Sequence, residues 1–316
     1  MKVVVTASLG KAQLQKRLAE KIGNQALWVE DTQAAVRELP TADALICPDH
    51  FLSAQVVEAV KNSANLRWIQ LLTAGYDHIK RQGAPAGITV CNAGEAYAPA
   101  VATHAVTLLL ALQRHIPAVL ADQKRHAWER GFAPLLAVPS TSSIVVIGFG
   151  PIGREIGRIL RALGARVIAV TRHGRPDDGA DEVVAAGELA SVLPQADAIM
   201  IAAAYDETTH HLINEQTLSL CKKSLLLVNI ARGPIVDTRA LDAALRSGTI
   251  AGAGLDVTDP EPLPPDHPLW DAPNLIITPH CSGASGILTA NRLVDLACDN
   301  LDRFMAGAPL RHVVNL

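Results

Sequence analysis

Ile144-Val145-Val146-Ile147 runs directly into Gly148-Phe149-Gly150-Pro151-Ile152-Gly153. Four apolar, mostly β-branched residues read as a buried strand. Behind the glycines, Ile152, Ile156, Ile159, Leu160 and Leu163 share one helical face, and Gly164 suits a helix C-terminus. Arg166 to Val170 reads as the next strand. A G-x-G-x-x-G is weak by itself; with a strand before it and a helix and strand after, it specifies a dinucleotide site. Gly148 allows a tight turn, Gly150 lets backbone approach a pyrophosphate, and Gly153 lets the helix pack close to the strand. The N–H groups and dipole of the helix start then face the anion.

That unit fills only part of the chain. At 316 residues and 49% hydrophobic, the sequence is long enough for about two domains. A net charge of −3 leaves no electrostatic footprint for nucleic acid or a membrane surface. No apolar run reaches the ~18 residues of a membrane span. Met1 to Thr6 reads as a strand rather than a signal peptide. Cys47, Cys91, Cys221, Cys281 and Cys298 are scattered without zinc or redox spacing, so no metal is expected. They read as reduced thiols of a cytoplasmic protein.

Residues 1–98 alternate strand and helix, with strands expected at Lys2–Thr6, Ala26–Val29, Asp43–Cys47, Leu66–Leu71 and Ile88–Cys91. Leu72-Thr73-Ala74-Gly75-Tyr76-Asp77 follows a buried strand, where exposed backbone N–H groups can hold a carboxylate or form a plain turn. Glu95 to Leu112 reads as a long apolar helix between the domains, carrying Thr103 and His104; the imidazole is expected to be buried and satisfied. Arg114 to Ser143 reads as an irregular connecting arm with Trp128. Further strands are expected at Ala198–Ala203, Leu225–Val228, Gly252–Val257 and Asn274–Thr278, with Asn214 and Asp237 as N-caps and Gly248 as a C-cap. Ser285 to Met305 reads as an amphipathic helix returning to the first domain, leaving Val313-Val314 as a short tail strand or loop.

Three chemically apt residues fall just past strand ends. Arg232 can fork onto a carboxylate or a carbonyl oxygen. His280 can carry a proton near neutral pH. Glu261 can bond the other imidazole nitrogen and fix its tautomer. Singly, they are also compatible with a strand-end cap, a turn residue and a solvated loop charge. Together they suit proton donation to a carbonyl while a nicotinamide delivers hydride.

With these pieces assembled, the chain resembles the D-isomer-specific 2-hydroxyacid dehydrogenases, on the side of the glyoxylate and hydroxypyruvate reductases. The matching stretches are Ala74-Gly75-Tyr76-Asp77, Gly148–Gly153, Asn229-Ile230-Ala231-Arg232-Gly233, Gly254-Leu255-Asp256-Val257, Asp259-Pro260-Glu261-Pro262-Leu263 and Thr278-Pro279-His280. The resemblance implies an α/β fold of two Rossmann-like, doubly wound parallel-sheet domains with the active site in the cleft between them. Residues 1–98 plus 286–316 would form the substrate-binding lid and 99–285 the dinucleotide domain, with hinges near Ala96–Ala100 and Gly283–Gly286. By the same resemblance His280 is the general acid/base and Glu261 its partner. Arg232 binds substrate, with Ala74 and Gly75 contacting the substrate carboxylate. Pro151, Ile152, Ala203, Ile230, Ala231, Arg232, Asp256, His280, Ser282 and Gly283 join the three glycines around the cofactor. The expected reaction is reduction of a small 2-keto acid to the D-2-hydroxy acid by a homodimer, since the apolar Val101–Leu112 helix and the arm around Trp128 exceed what a monomer needs. A nucleotide-sensing, corepressor-like protein and a dehydrogenase for another 2-hydroxy acid such as phosphoglycerate are the alternatives.

The sequence departs from the family at three places. Thr103 stands where Glu is frequent, Ala202-Ala203-Ala204-Tyr205 replaces Leu-Pro-Leu-Thr, and Cys281 replaces an aliphatic residue. Cofactor choice follows from a fourth feature. The end of the second strand ordinarily supplies a carboxylate for the ribose 2′-OH. Here it reads Thr171-Arg172-His173-Gly174-Arg175, and Asp177 and Asp178 lie beyond Pro176. Thr171, Arg172, His173 and Arg175 suit a 2′-phosphate, so NADPH is expected to be preferred, with NADH possible.

Overall fold

The computed structural model describes every residue except Ala84, Ser285 and Asn315. The chain forms two compact units, Met1–Tyr97 with Ser285–Leu316, and Ala98–Ala284. In chain order the first stretch holds β1 (Val3–Val5), α1 (Lys11–Ile22), β2 (Ala26–Trp28), α2 (Thr32–Glu38), β3 (Ala44–Cys47), α3 (Ala54–Lys61), β4 (Trp68–Leu71), α4 (Asp77–Gln82) and β5 (Thr89–Cys91). The second unit holds α5 (Ala98–Gln113), α6 (Ile116–Lys124), β6 (Ser143–Ile147), α7 (Pro151–Ala162), β7 (Arg166–Thr171), β8 (Glu182–Ala185), α8 (Leu189–Val192), β9 (Ala198–Ile201), α9 (Glu215–Ser219), β10 (Leu226–Asn229), α10 (Thr238–Ser247), β11 (Gly252–Leu255) and β12 (Leu275–Ile277). Helix α11 (Ile287–Met305) returns to the first unit.

The first unit is built on a parallel sheet of order β2-β1-β3-β4-β5. Side chains alternate between its faces. Val4, Leu45, Ile69 and Leu71 pack against Val56, Val60 and Ile79 on one side. Val3, Val5, Ile46 and Trp68 meet Leu14 and Leu18 of α1 and Val294, Ala297 and Leu301 of α11 on the other. Val313 forms an antiparallel bridge with Cys91, so the tail extends the β5 edge.

The second unit is a seven-stranded sheet of order β12-β11-β10-β9-β6-β7-β8, with every pairing parallel. Val145, Ile168, Ile199 and Leu227 bury one face against Leu193, Leu218, Leu241 and Leu245. Helices α5 and α7 pack together on the other face. There a Cβ on Gly254 would stand 3.1 Å from Leu108, so glycine in β11 lets α5 approach the sheet closely.

Sequence and structure agree on every expected strand to within one or two residues, and three readings are corrected. The connecting arm is not wholly irregular, because α6 occupies Ile116–Lys124. Pro117 lies in the first turn of that helix, where its missing N–H costs nothing. Helix α5 starts at Ala98 rather than Glu95, with Pro99 again in the first turn. Strand β8 was not anticipated; it is a half-buried edge strand that begins with a charged residue and carries no apolar alternation. Of the expected Gly283–Gly286 hinge and Ser285–Met305 helix, Ser285 lies outside the described residues.

Candidate active site

Because every strand of the second sheet is parallel, their carboxyl ends share one edge. The order β9-β6-β7 puts β6 at the point where successive connections turn to opposite sides, the place where α/β sheets bind ligands. Along that edge Arg232 follows β10, Asp256 follows β11, and Thr278 to Ser282 follow β12.

His280 Nδ1 lies 2.6 Å from Glu261 Oε1, and both side chains are close to half exposed. The His280 backbone is in the left-handed region at φ 49°, and its N–H donates to the carbonyls of Asp256 and Thr278. Asp256 holds this turn. Its buried carboxylate accepts from the Thr278 hydroxyl at 2.6 Å and from the backbone N–H groups of Cys281 and Ser282 at 2.9 Å. Burial alone would raise the Asp256 pKa; the Ser282 and Thr278 hydroxyls and the two N–H groups outweigh it and hold the carboxyl below its ordinary range. A depressed carboxyl stabilises the fold above its unfolded pKa, and that contribution is lost as pH falls through the folded value.

His104 of α5 completes this brace. Its Nε2 stands 2.9 Å from Thr278 Oγ1 and 3.5 Å from Asp256 Oδ1. Since the Thr278 hydroxyl donates to Asp256, it accepts from His104, as expected for a satisfied, partly buried histidine. His104, Asp256 and Cys281 bring three potential metal ligands within 4.8 Å of one another, but hydrogen bonds already occupy both carboxylate oxygens.

The Arg232 loop is shaped by Asn229, which is fully buried at the end of β10. Its side chain accepts from the Ala231 N–H at 3.0 Å and donates to the Arg232 carbonyl at 2.9 Å. Ile230 and Ala231 are buried, and the Arg232 guanidinium donates to the Ala231 carbonyl at 2.6 Å. A Cβ on Gly233 would lie 2.0 Å from the Thr258 carbonyl oxygen, so only glycine lets this loop run against the one leading to Glu261. The sequence signal for both residues was present in Asn229-Ile230-Ala231-Arg232-Gly233, but the close approach links loops far apart in the chain.

The glycines divide their work as their spacing indicates. Gly148 has φ 87°, and a Cβ there would meet the Ala203 backbone at 2.4 Å. A Cβ on Gly153 would sit 2.0 Å from the Gly148 carbonyl oxygen. Gly150, the N-cap of α7, has nothing within 4 Å of its would-be Cβ, and Pro151 opens the helix behind it. The result is a cradle of open backbone at a helix N-terminus, which fits the pyrophosphate of a nicotinamide dinucleotide. Ala202 donates its N–H to Ile147, so the Ala202–Tyr205 replacement preserves the backbone that faces Gly148.

At the end of β7, Thr171 Oγ1 accepts from the Gly174 N–H, while Arg172, His173 and Arg175 are exposed. Asp177 is held by Arg154 at 2.7 Å, back against α7. One partner was not visible in the sequence: Asp206, in the loop after β9, pairs with Arg172 at 3.0 Å. In the other unit, Ala74 and Gly75 lie on the loop after β4. The Thr73 hydroxyl donates to the Gly75 carbonyl at 2.9 Å, and the Asn92 side chain donates to that of Ala74 at 2.8 Å. Thr103 is exposed and its hydroxyl donates to the Pro99 carbonyl.

This geometry can be set beside known proteins. Residues 106–282 match the model for the D-isomer specific 2-hydroxyacid dehydrogenase, NAD binding domain. The chain belongs to the D-isomer specific 2-hydroxyacid dehydrogenase family. It is 34% identical over 298 residues to a glyoxylate reductase of Thermofilum pendens, covering 91% of this chain and 86% of that protein. It is also 34% identical over 301 residues to a human glyoxylate reductase/hydroxypyruvate reductase, covering 90% and 88%. A solved family member from Aeromonas salmonicida superposes with a TM-score of 0.86 at 27% identity, covering 99% of each chain. The activity is accordingly that of an NAD(P)-dependent D-2-hydroxyacid dehydrogenase, acting on a small molecule with a nicotinamide cofactor. Among the described residues no single helix is long and apolar enough to cross a membrane.

All five cysteines are free. Burial pushes Cys91 and Cys221 up to about 11 and raises Cys47 further. At Cys281 burial, the Asp256 charge and a hydrogen bond to Asp256 act in the same direction. The thiolate is the reactive form. Labelling with iodoacetamide near neutral pH is therefore expected to be slow at every site in the folded protein and to leave turnover intact. Rapid modification of Cys281 with loss of activity would contradict this.

Proposed function

We propose that this enzyme reduces glyoxylate or hydroxypyruvate to the D-2-hydroxy acid, with NADPH as the preferred hydride donor. The observation that carries the chemistry is the 2.6 Å pairing of His280 Nδ1 with Glu261, which leaves Nε2 to serve the substrate. The bound cofactor supplies the hydride. His280 gives a proton to the carbonyl oxygen, and Glu261 fixes its tautomer and balances the imidazolium charge. Arg232 binds the substrate carboxylate as a planar fork, and backbone N–H groups at Ala74 and Gly75 contact it too. Gly148, Gly150, Pro151, Ile152 and Gly153 cradle the pyrophosphate. Ala203, Ile230, Ala231, Asp256, Ser282 and Gly283 line the rest of the dinucleotide.

The NADPH reading rests on the end of β7, where Thr171, Arg172, His173 and Arg175 stand in place of a carboxylate. Charge-assisted bonds of this kind contribute about 1.5–3 kcal/mol each when well made. Arg172→Ala and Arg175→Ala are therefore expected to raise KM for NADPH by about tenfold or more and to leave KM for NADH nearly unchanged. Equal losses with both cofactors would contradict this. The test of the whole reading is an initial-rate panel of glyoxylate, hydroxypyruvate, pyruvate and phenylpyruvate, each with NADPH and NADH. The highest kcat/KM belongs to one of the first two with NADPH; a maximum with NADH or with phenylpyruvate overturns it.

The same reading makes the enzyme a cytoplasmic homodimer with no nucleic-acid or membrane partner. Support for the dimer comes from the arm of the second unit, which exposes Leu120, Leu135 and Val138 and leaves Trp128 93% exposed. Light scattering at micromolar concentration should give twice the 33.5 kDa chain mass. A monomer mass would contradict it.

A further inference from the structure

We propose that Asp206 sets how strongly the enzyme discriminates between the two nicotinamide cofactors, by competing with a ribose 2′-phosphate for Arg172. The inference rests on the NADPH reading above and adds a second residue, from another strand, to it.

Arg172 directly follows β7, and Asp206 lies in the loop after β9. The strand between them in the sheet is β6, the one that hands on to the glycine cradle. The pair therefore links the two loops that flank the dinucleotide loop. Its two ends are unequally fixed. The Asp206 side chain is 23% exposed and that of Arg172 is 73% exposed. Asp206 Oδ1 accepts from the Thr208 N–H at 2.9 Å and from its hydroxyl at 2.5 Å. The Asp206 N–H donates to the Thr209 hydroxyl, which in turn donates to the Ala204 carbonyl. The Thr208 hydroxyl above all, then its N–H and the Arg172 charge, outweigh burial and hold the Asp206 carboxyl below its ordinary range, so it is an anion at neutral pH. The guanidinium is the exposed partner and the carboxylate the one tied into its own loop.

A 2′-phosphate recruiting Arg172 must draw it from Asp206 or share it, whereas a 2′-hydroxyl makes no such demand. Arg172 thus favours NADPH, and Asp206 holds part of that preference back. The sequence did not show this, because the 34 residues that separate the partners bring them together only through the order of the strands.

Calorimetric titration of four proteins tests the proposal: wild type, Asp206→Asn, Arg172→Ala and the double variant. The probes are adenosine 2′,5′-bisphosphate against adenosine 5′-monophosphate, which isolate the ribose end, and NADPH against NADH. Asp206→Asn should tighten both 2′-phosphorylated probes by about two- to fivefold, the range that an exposed ion pair allows, and leave the other two unchanged. In the Arg172→Ala background the same substitution should give no gain. If Arg172→Ala weakens the bisphosphate while Asp206→Asn changes nothing, the competition is refuted and the NADPH reading stands. A gain that persists without Arg172 also refutes it, showing direct repulsion by Asp206. If Arg172→Ala itself leaves the bisphosphate unaffected, the NADPH reading fails and this inference falls with it.

Discussion

Replacing His280 with alanine is expected to lower kcat by about 10²–10⁴-fold, the usual cost of removing a positioned general acid. The imidazole is held at Nδ1 by Glu261, and its backbone by the carbonyls of Asp256 and Thr278. The turn persists without the side chain, because Asp256 braces it through Thr278, Cys281 and Ser282. Kd for NADPH should therefore stay close to the wild-type value and the thermal midpoint should barely move. Glu261→Gln should fall in the same direction by less, since the amide still meets the ring but no longer balances its charge. Near-wild-type turnover in His280→Ala would remove the proposed acid.

Gly153→Ala has the second largest expected effect, and it acts on the fold as well as on the cofactor. The new methyl would stand 2.0 Å from the Gly148 carbonyl oxygen, a backbone atom that cannot swing aside. Helix α7 or the glycine loop must move, and overpacking of this kind costs about 1–3 kcal/mol. A displacement of about an ångström in a cofactor loop can cost on the order of 10²-fold in kcat/KM. Gly150→Ala separates the two consequences. Its Cβ would enter open space, so stability should change by less than about 0.5 kcal/mol. Affinity for NADPH should nevertheless fall, because that is the space proposed for the pyrophosphate. Unchanged binding in both variants, measured by calorimetry beside thermal melts, would contradict the assignment of the cradle.

The behaviour of these glycines was legible from the sequence because it is local. Spacing alone assigned Gly148 to the turn, Gly150 to the open face and Gly153 to the helix–strand contact. The fully buried strands were equally legible, since buried parallel strands are near-continuous apolar runs, whereas the half-buried edge strand β8 carries no such run. What stayed hidden depends on the third dimension. Asp206 meets Arg172 only because β9 and β7 flank β6. Gly233 is required only because its loop lies against Thr258. Asp256 could be matched to a family motif, but its work as the brace of the His280 turn depends on residues from three separate elements. Helix α6 was not legible for a different reason: none of its residues is buried, so no apolar stripe marks it as a helix.

The measurement that tests the central claim most directly is chiral analysis of the product formed from hydroxypyruvate and NADPH. The account predicts D-glycerate from the wild-type enzyme, in one-to-one proportion with NADPH consumed, and a rate at least about a hundredfold lower from His280→Ala. L-glycerate, a racemate, or cofactor binding without any turnover would contradict it.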